Sequence, residues 1–380
     1  MNRPVVVLGM LWAGLALARS LGRAGVDVTG IAADGREFGL RSRYLSRRVV
    51  AAEPARILDA IRSVAAGGRV VLFPERDAHV EFVLRHWDEV REVADVPFPD
   101  DPDVVWRLRR KERVAVEAER ARVATPRTAP AESEEAIRAL PFEPPLLVKP
   151  VEGQEFAAVF GTKLFVADGV EEAVAAWRRA RELGFETVLQ ELVPNAQTRV
   201  FSLFAYVGRE GEPLATVVGR KRRAGPPDFG TAAVFELRPE PRVLETGLRL
   251  LRSADYRGFA QVELAYDERD DTFKLLEVNT RPPQWGGIAM TPRFDVARMA
   301  YDDLCGLPVA PAPTFDEPGV RWIYLAKDAW AALALARRRE IGAREFAAPY
   351  VGPGKVRAIL AVDDPLPALA SVSYLRTKVV

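Results

Sequence analysis

The stretch Leu275–Trp285, "LLEVNTRPPQW", decides how this chain folds and what it is built to hold. It reads as an apolar strand stopped by a Pro-Pro breaker, yet Glu277, Asn279 and Arg281 stand at every second position and so share one face. The preceding run "GFAQVELAYD", Gly258–Asp267, is a second strand candidate, and a polar turn near Asp270 joins the two. Pairing them as a hairpin sets Glu263 opposite Glu277, with Asn279 further along that face, and puts Val262, Leu264, Leu276 and Val278 on the other. Two carboxylates across a strand pair repel unless one is protonated or a cation lies between them. Magnesium resolves that conflict, because it takes hard oxygen ligands from one or two carboxylates together with phosphate oxygens and water. The alternative is a solvated face in a shifted register, since a slip of one residue destroys the pairing.

At 380 residues the chain is long enough for two or three domains with ample cores. The one cysteine, Cys305, excludes an internal disulfide or a cysteine-cluster metal site. Together with the lack of any apolar run near the ~20 residues of a membrane span, this reads as a cytoplasmic protein. The opening "MNRPVVVLGM" runs straight into a strand pattern without the features of a secretory signal, so the mature chain is expected to begin here. Net charge is +1 with acids and bases interspersed, which gives no whole-chain electrostatic case for a nucleic-acid or membrane partner. Of the 54 basic residues only eight are lysine, at positions 111, 149, 163, 221, 274, 327, 355 and 378. In so arginine-rich a chain, lysine marks places where a compact ammonium on a flexible stem does what a planar guanidinium does not.

Along the chain, "PVVVLGM", "WAGLALARSLGRAG" and "VDVTGIAAD" read as strand, helix and strand, and "GRVVLFPE" with "DAHVEFVLRHWDEVREV" extends a small parallel α/β unit. The breaker "PFPDDPD" precedes one Arg/Glu-rich helix, "VVWRLRRKERVAVEAERA", and a loop, "TPRTAPAE". "PPLLVKP", "KLFVAD" and "TVLQELV" are strand candidates; from "TRVFSLFAYVG" onward the pattern is mainly antiparallel, and the tail after "GLPVAPAPTFDEPG" is less regular.

The order "LLVKP", "VLQELV", "VEL…LLEVNTRP" resembles the ATP-grasp superfamily, and within it the carboxylate-amine ligases that include D-aspartate ligase-like proteins. The resemblance covers nearly the whole chain and implies an α/β (α+β) ATP-grasp fold, with nucleotide held between two α+β subdomains. It implies a Rossmann-like pre-ATP-grasp domain over 1–100, a small subdomain with linker helix over 101–190, a large subdomain over 191–310 and a C-terminal extension over 311–380. The implied cofactors are ATP and magnesium (or manganese), with Glu263, Glu277 and Asn279 as metal ligands. Arg281 would face the transferred phosphate, aided by Lys221 and Arg223, where a guanidinium stabilises an acyl phosphate and its tetrahedral successor. Lys111 and Lys149 would touch ATP phosphates. The segment "VLQELVPN" resembles the hinge that holds adenine, involving Gln190, Glu191, Leu192 and Val193, with backbone groups of Glu191 and Val193 reading its edge. Gln197 stands where the superfamily usually has an acid for the ribose. The phosphate-covering loop "VEGQEFAAVFGTK" is glycine-poor, with only Gly153 and Gly161, so Lys163 and Lys221 are expected to supply charge in its place. The partners so implied are a small carboxylate and a small amine, amino-acid-like, handled by a monomer or homodimer; Arg199, Arg223, Glu75 and Asp77 are candidates to hold them.

Two other readings stand beside the ligase. "VLGMLWAGLALARSLG" has Gly9 and Gly14 of a dinucleotide fingerprint but Leu11 in place of the middle glycine, which impairs close approach of a pyrophosphate in an NAD(P) oxidoreductase. A non-catalytic nucleotide-binding protein of the same fold is the third.

Overall fold

The computed structural model describes residues 3–151, 153–194, 199–227, 230–312 and 314–376. The apolar, β-branched run Val5–Leu8 forms β1, buried along its length, at the centre of a parallel sheet. With β2 (Val28–Ala32), β3 (Arg47–Val50), β4 (Val70–Pro74) and β5 (Ala94–Asp95), the sheet has the order β3-β2-β1-β4-β5. The chain moves outward from β1 to β3 and then crosses to β4. The β1/β4 edge is therefore the switch point beyond whose carboxyl ends such sheets place their sites.

A second, antiparallel sheet is made of β6 (Thr128–Pro130), β7 (Leu146–Pro150), β8 (Phe165–Ala167) and β9 (Thr187–Glu191), ordered β6-β9-β7-β8. It has a core of its own, in which Leu146, Val148, Val174, Trp177 and Leu189 pack together. The largest sheet begins with β10 (Val200–Val207), β11 (Pro213–Gly225), β12 (Thr231–Leu237), β13 (Gly258–Asp267) and β14 (Thr272–Asn279). A two-residue pair, β15 (Met290–Thr291) and β16 (Phe294–Asp295), stands apart from it, and β17 (Arg321–Ile323) and β18 (Lys355–Arg357) complete it in the order β14-β13-β10-β11-β12-β17-β18. Alternation along β10 divides its side chains between two cores, Phe204 and Tyr206 in one and Phe201, Leu203 and Ala205 in the other, and the first sheet contributes residues to both. The parallel sheet and the large sheet thus share their interior, whereas the small sheet does not.

Several elements depart from the sequence pattern. The arginine-rich helix is two helices, Pro102–Arg109 and Lys111–Arg120, because Arg110 is extended (φ −84°, ψ 127°). That break makes Lys111 the first residue of the second helix. The segment after Asp77 also divides, into helices Asp77–Arg85 and Trp87–Val93. The loop "TPRTAPAE" contains β6, which pairs with β9. The glycine-poor phosphate segment is largely a helix, Gly153–Phe160, whose Phe156 and Phe160 rings lie 4.6 Å apart and join Phe165 and Phe185. The C-terminal segment adds β17 and β18 to the large sheet and returns to the first domain, where Asp364 pairs with Arg19 at 2.9 Å. Among the described residues no helix is long and apolar enough to cross a membrane.

The junction between the first domain and β13 depends on Gly258, which has φ +100° and whose added Cβ would stand 1.7 Å from the Pro97 carbonyl oxygen. Backbone strain and overpacking together predict that Gly258→Ala lowers unfolding free energy by about 2–4 kcal/mol. Equilibrium denaturant unfolding measures this; an unchanged midpoint would show that the junction yields without cost.

Candidate active site

The β13–β14 hairpin places Glu263 opposite Glu277, Val262 opposite Val278 and Gln261 opposite Asn279. Beyond Glu263 the register shifts through a bulge, so that Leu264 faces Leu275, and Leu276, expected on the apolar face, is the extra residue and only half-buried. The bulge leaves the polar face intact on the side toward Arg281. There, Gln261 Nε2 donates to Glu263 at 2.7 Å, and Asn279 Nδ2 donates to Glu277 at 3.0 Å. Arg281 in turn donates to Asn279 Oδ1 at 3.3 Å. Burial pushes the Glu263 carboxyl above its usual range; Lys221 opposes this and Glu277 adds to it. The sequence reading missed Gln261, although its position two residues before Glu263 on the same face was the available signal.

The donor set offered by Glu263, Glu277 and the Asn279 amide is entirely oxygen. Among the described residues there is no cluster of three or more Asp, Glu, His or Cys able to hold a metal alone. Two carboxylates and an amide oxygen fit magnesium shared with a phosphate ligand, the way that ion is usually held, and do not fit a closed structural metal site. A half-turn of the Asn279 amide presents its oxygen toward Glu277.

Cations converge on this face from two directions. Lys149, at the end of β7, donates to Gln190 Oε1; burial and then the neighbouring charge of Lys111 lower its pKa to about 8, against the pull of Glu277. Lys111 Nζ donates to the Pro150 carbonyl at 2.7 Å. From β11, Lys221 Nζ donates to the Gly230 carbonyl at 3.2 Å, and its charge, like that of Lys163 in the turn before β8, acts on Glu263. The parallel sheet contributes an acid instead: Asp77, just past β4, binds Arg281 at 2.7 Å and Arg109 at 2.8 Å. Burial alone would raise the Asp77 carboxyl, but the two guanidiniums outweigh it and hold its pKa below the usual value. Arg109 lies in the Arg/Glu-rich helical run, in which no motif singled it out.

Glu75, two residues before Asp77, has another use. Its carboxylate accepts from the backbone N–H of Leu11 at 2.9 Å and of Ala13 at 3.1 Å, while Glu37 accepts from Met10 N–H at 2.6 Å. Burial and the charge of Glu37 raise Glu75 to about 7. These two acids cover the N-terminus of helix Trp12–Arg23, the place where a dinucleotide pyrophosphate would bind, so the oxidoreductase reading loses its anion site.

Other expected residues are placed differently. Arg223 is turned away from the hairpin into a buried pair with Asp328, so it is not a substrate anchor. Arg199 pairs with Glu268 and lies over the Tyr266 ring. Glu191 is 2% exposed, and its carboxylate accepts from Arg127 at 3.0 Å, Arg269 at 3.1 Å and Lys274 at 3.0 Å. Its N–H is committed to the Arg127 carbonyl at 2.9 Å and that of Leu192 to Pro145 at 3.0 Å, so any base edge read at Glu191 is read by its carbonyl. Val193 is buried at the end of this segment, and Gln197 lies outside the described residues.

No family model matches the chain. The D-aspartate ligase of Enterococcus faecium (strain Aus0004) is 24% identical over 239 residues, 60% of this chain and 56% of that protein. The chain therefore aligns with little more than half the length of that relative. A solved N5-carboxyaminoimidazole ribonucleotide synthetase in complex with ADP matches with a TM-score of 0.67 and 16% identity over 89% of this chain and 85% of that one. The L-amino acid ligase from Bacillus licheniformis matches with a TM-score of 0.60 and 15% identity, over 84% and 78% of the two chains.

The depressed Lys149 ammonium makes a pH prediction. A polyphosphate bound beside it raises its pKa, so binding takes up a proton where the free group is partly neutral. Affinity for pyrophosphate, used as a polyphosphate probe, is expected to fall as pH rises above about 8, by up to about tenfold per unit until the pKa of the bound form is reached. Lys149→Met weakens binding and flattens this dependence; calorimetric titration between neutral and alkaline pH would show a parallel slope in both proteins if Lys149 were not responsible.

Proposed function

Because the chain is an ATP-grasp protein by fold and distantly similar to D-aspartate ligase, we propose that it is an ATP-dependent ligase joining a carboxylate to an amine. The reaction runs through an acyl phosphate and gives ADP and phosphate. The observation that carries this reading is the convergence of Glu263, Glu277 and Asn279 with lysines from both sheets and with Arg281.

Lys111 and Lys149 hold the nucleotide phosphates at the end of β7, and the segment after β9 takes the base. Magnesium, held by Glu263, Glu277 and Asn279, would neutralise charge on the phosphoryl group as it passes to the carboxylate. Lys221 and Lys163 lie on the same side as Glu263 and steady the transferred group's oxygens. Arg281, fixed by Asp77, offers its guanidinium to the acyl phosphate and to the tetrahedral adduct formed when the amine attacks. The small sheet, with its separate core, is the lobe suited to close over the cleft and keep water from the acyl phosphate. This chemistry uses no nucleophilic side chain, in keeping with a single cysteine and two histidines in the whole chain. The amino-acid ligases among its relatives support an amino acid or small peptide as substrate.

The test is product analysis from Mg-ATP with amino acids offered singly and in pairs. ADP and phosphate released only with a particular acid and amine is the expected result; AMP and pyrophosphate would refute the acyl phosphate. Glu277→Gln is expected to abolish turnover with the fold intact, and near-normal activity would defeat the metal assignment. Arg281→Ala is expected to lower kcat by about 10²–10³ while leaving ADP affinity nearly unchanged; the reverse pattern would contradict its role.

A further inference from the structure

Resting on the ligase reading, we propose that Lys327, brought into the cleft by the C-terminal segment, binds a phosphoryl oxyanion together with Lys163 and Lys221. The buried Arg223–Asp328 pair positions it.

Lys327 lies in the first turn of helix Leu325–Arg337, far along the chain from the hairpin. Its ammonium donates to Thr231 Oγ1, while that of Lys221 donates to the adjacent Gly230 carbonyl. Two lysines from different elements thus grip neighbouring residues. The Lys327 stem runs over Gly225, which pairs with Thr231 across β11 and β12; a Cβ on that glycine would stand 2.8 Å from Lys327 Cγ and 2.9 Å from its Cε. Gly225 therefore provides the path by which the lysine crosses the sheet.

The neighbouring residue on the helix, Asp328, fixes this placement. Arg223 meets it at two points, Nε to Oδ1 at 2.6 Å and NH2 to Oδ2 at 2.9 Å, with side-chain exposures of 6% and 0%. The Tyr350 hydroxyl also donates to Asp328, and Arg223 donates to the carbonyls of Glu345 at 3.1 Å and Phe346 at 3.2 Å. Arg223 is two residues beyond Lys221 on the same strand, so one buried ion pair sets the spacing between the two lysines. A planar, bidentate pair is stiff enough to serve as such a clamp.

Charge supplies the ligand class. Lys163 and Lys221 both bear on Lys327: burial, then Lys163, then Lys221, lower its pKa to about 8. A lysine in the first turn of a helix also meets the positive end of the helix dipole. Three converging ammoniums are relieved by a multiply charged anion placed among them. Lys111 and Lys149 are held at the end of β7 by the Pro150 carbonyl and Gln190, on a different sheet from Lys221, so the triad addresses a different phosphate, either the transferable γ-phosphate of ATP or a phosphate free or carried by the acid substrate.

Calorimetric titration of the full chain with magnesium separates these sources, using ADP, the imido analogue of ATP, and inorganic phosphate added to the ADP complex. Lys327→Met is expected to lose at least tenfold in affinity for the ATP analogue, with ADP affinity within twofold, and Lys327→Arg to recover part of the loss. A loss confined to inorganic phosphate would support the triad with phosphate from the second source. Asp328→Asn is expected to show the same selectivity at smaller amplitude; equal weakening of ADP and the analogue would mark the ion pair as merely structural and overturn its positioning role. Wild-type affinities for all three ligands in Lys327→Met would overturn the proposal while leaving the ligase reading standing. A wild-type protein that binds neither nucleotide would overturn both.

Discussion

Glu263 and Glu277 face each other across an antiparallel pair, an arrangement that costs free energy unless something positive or proton-bearing lies between them. Much of the surrounding structure answers that cost. The amides of Gln261 and Asn279 each donate to one carboxylate, and lysines from two other elements act on Glu263. The bulge in the hairpin confines the change of register to the side away from Arg281, so the polar face and its arginine keep their alignment. The two facing acids are thus offset by donors and cations rather than left unpaired.

A second ionic network joins the hinge to the same hairpin. Glu191 at the end of β9 binds Lys274 of β14 at 3.0 Å, and Lys274 binds Asp267 at the end of β13 at 2.7 Å. Arg269, in the hairpin turn, bridges both acids. The segment proposed to hold the base and the strand proposed to hold the metal therefore share one set of charges, although the small sheet has its own hydrophobic core.

Much of this was legible locally. Alternation in "VEL" and "LLEVNTR" gave the facing glutamates, and the order of strand motifs gave the ATP-grasp fold. Lysine scarcity marked Lys149, Lys163 and Lys221, and it also marked Lys327, whose position at Thr231, beside the Gly230 carbonyl that Lys221 holds, no local pattern could show. Lys274 is the counterexample: its ammonium is used in the hinge network. What the sequence did not reveal was set by distant partners. Arg223 finds Asp328 105 residues away, and Glu75 folds back onto Leu11 and Ala13. Arg110 breaks a run whose composition is helical throughout, and the glycine-poor loop becomes a helix whose phenylalanines pack with Phe165 and Phe185. Propensity and periodicity report single elements, whereas these outcomes depend on which elements meet.

The central claim is that the apposed glutamates are a divalent-cation site completed by nucleotide. Electron paramagnetic resonance titration of manganese in the presence of ADP tests it most directly, because free and bound ion are distinguished by signal amplitude. One tightly bound manganese per chain that depends on ADP is expected, lost in both Glu263→Gln and Glu277→Gln while each variant keeps its thermal midpoint. Manganese bound as tightly in either variant as in the wild-type protein would contradict it.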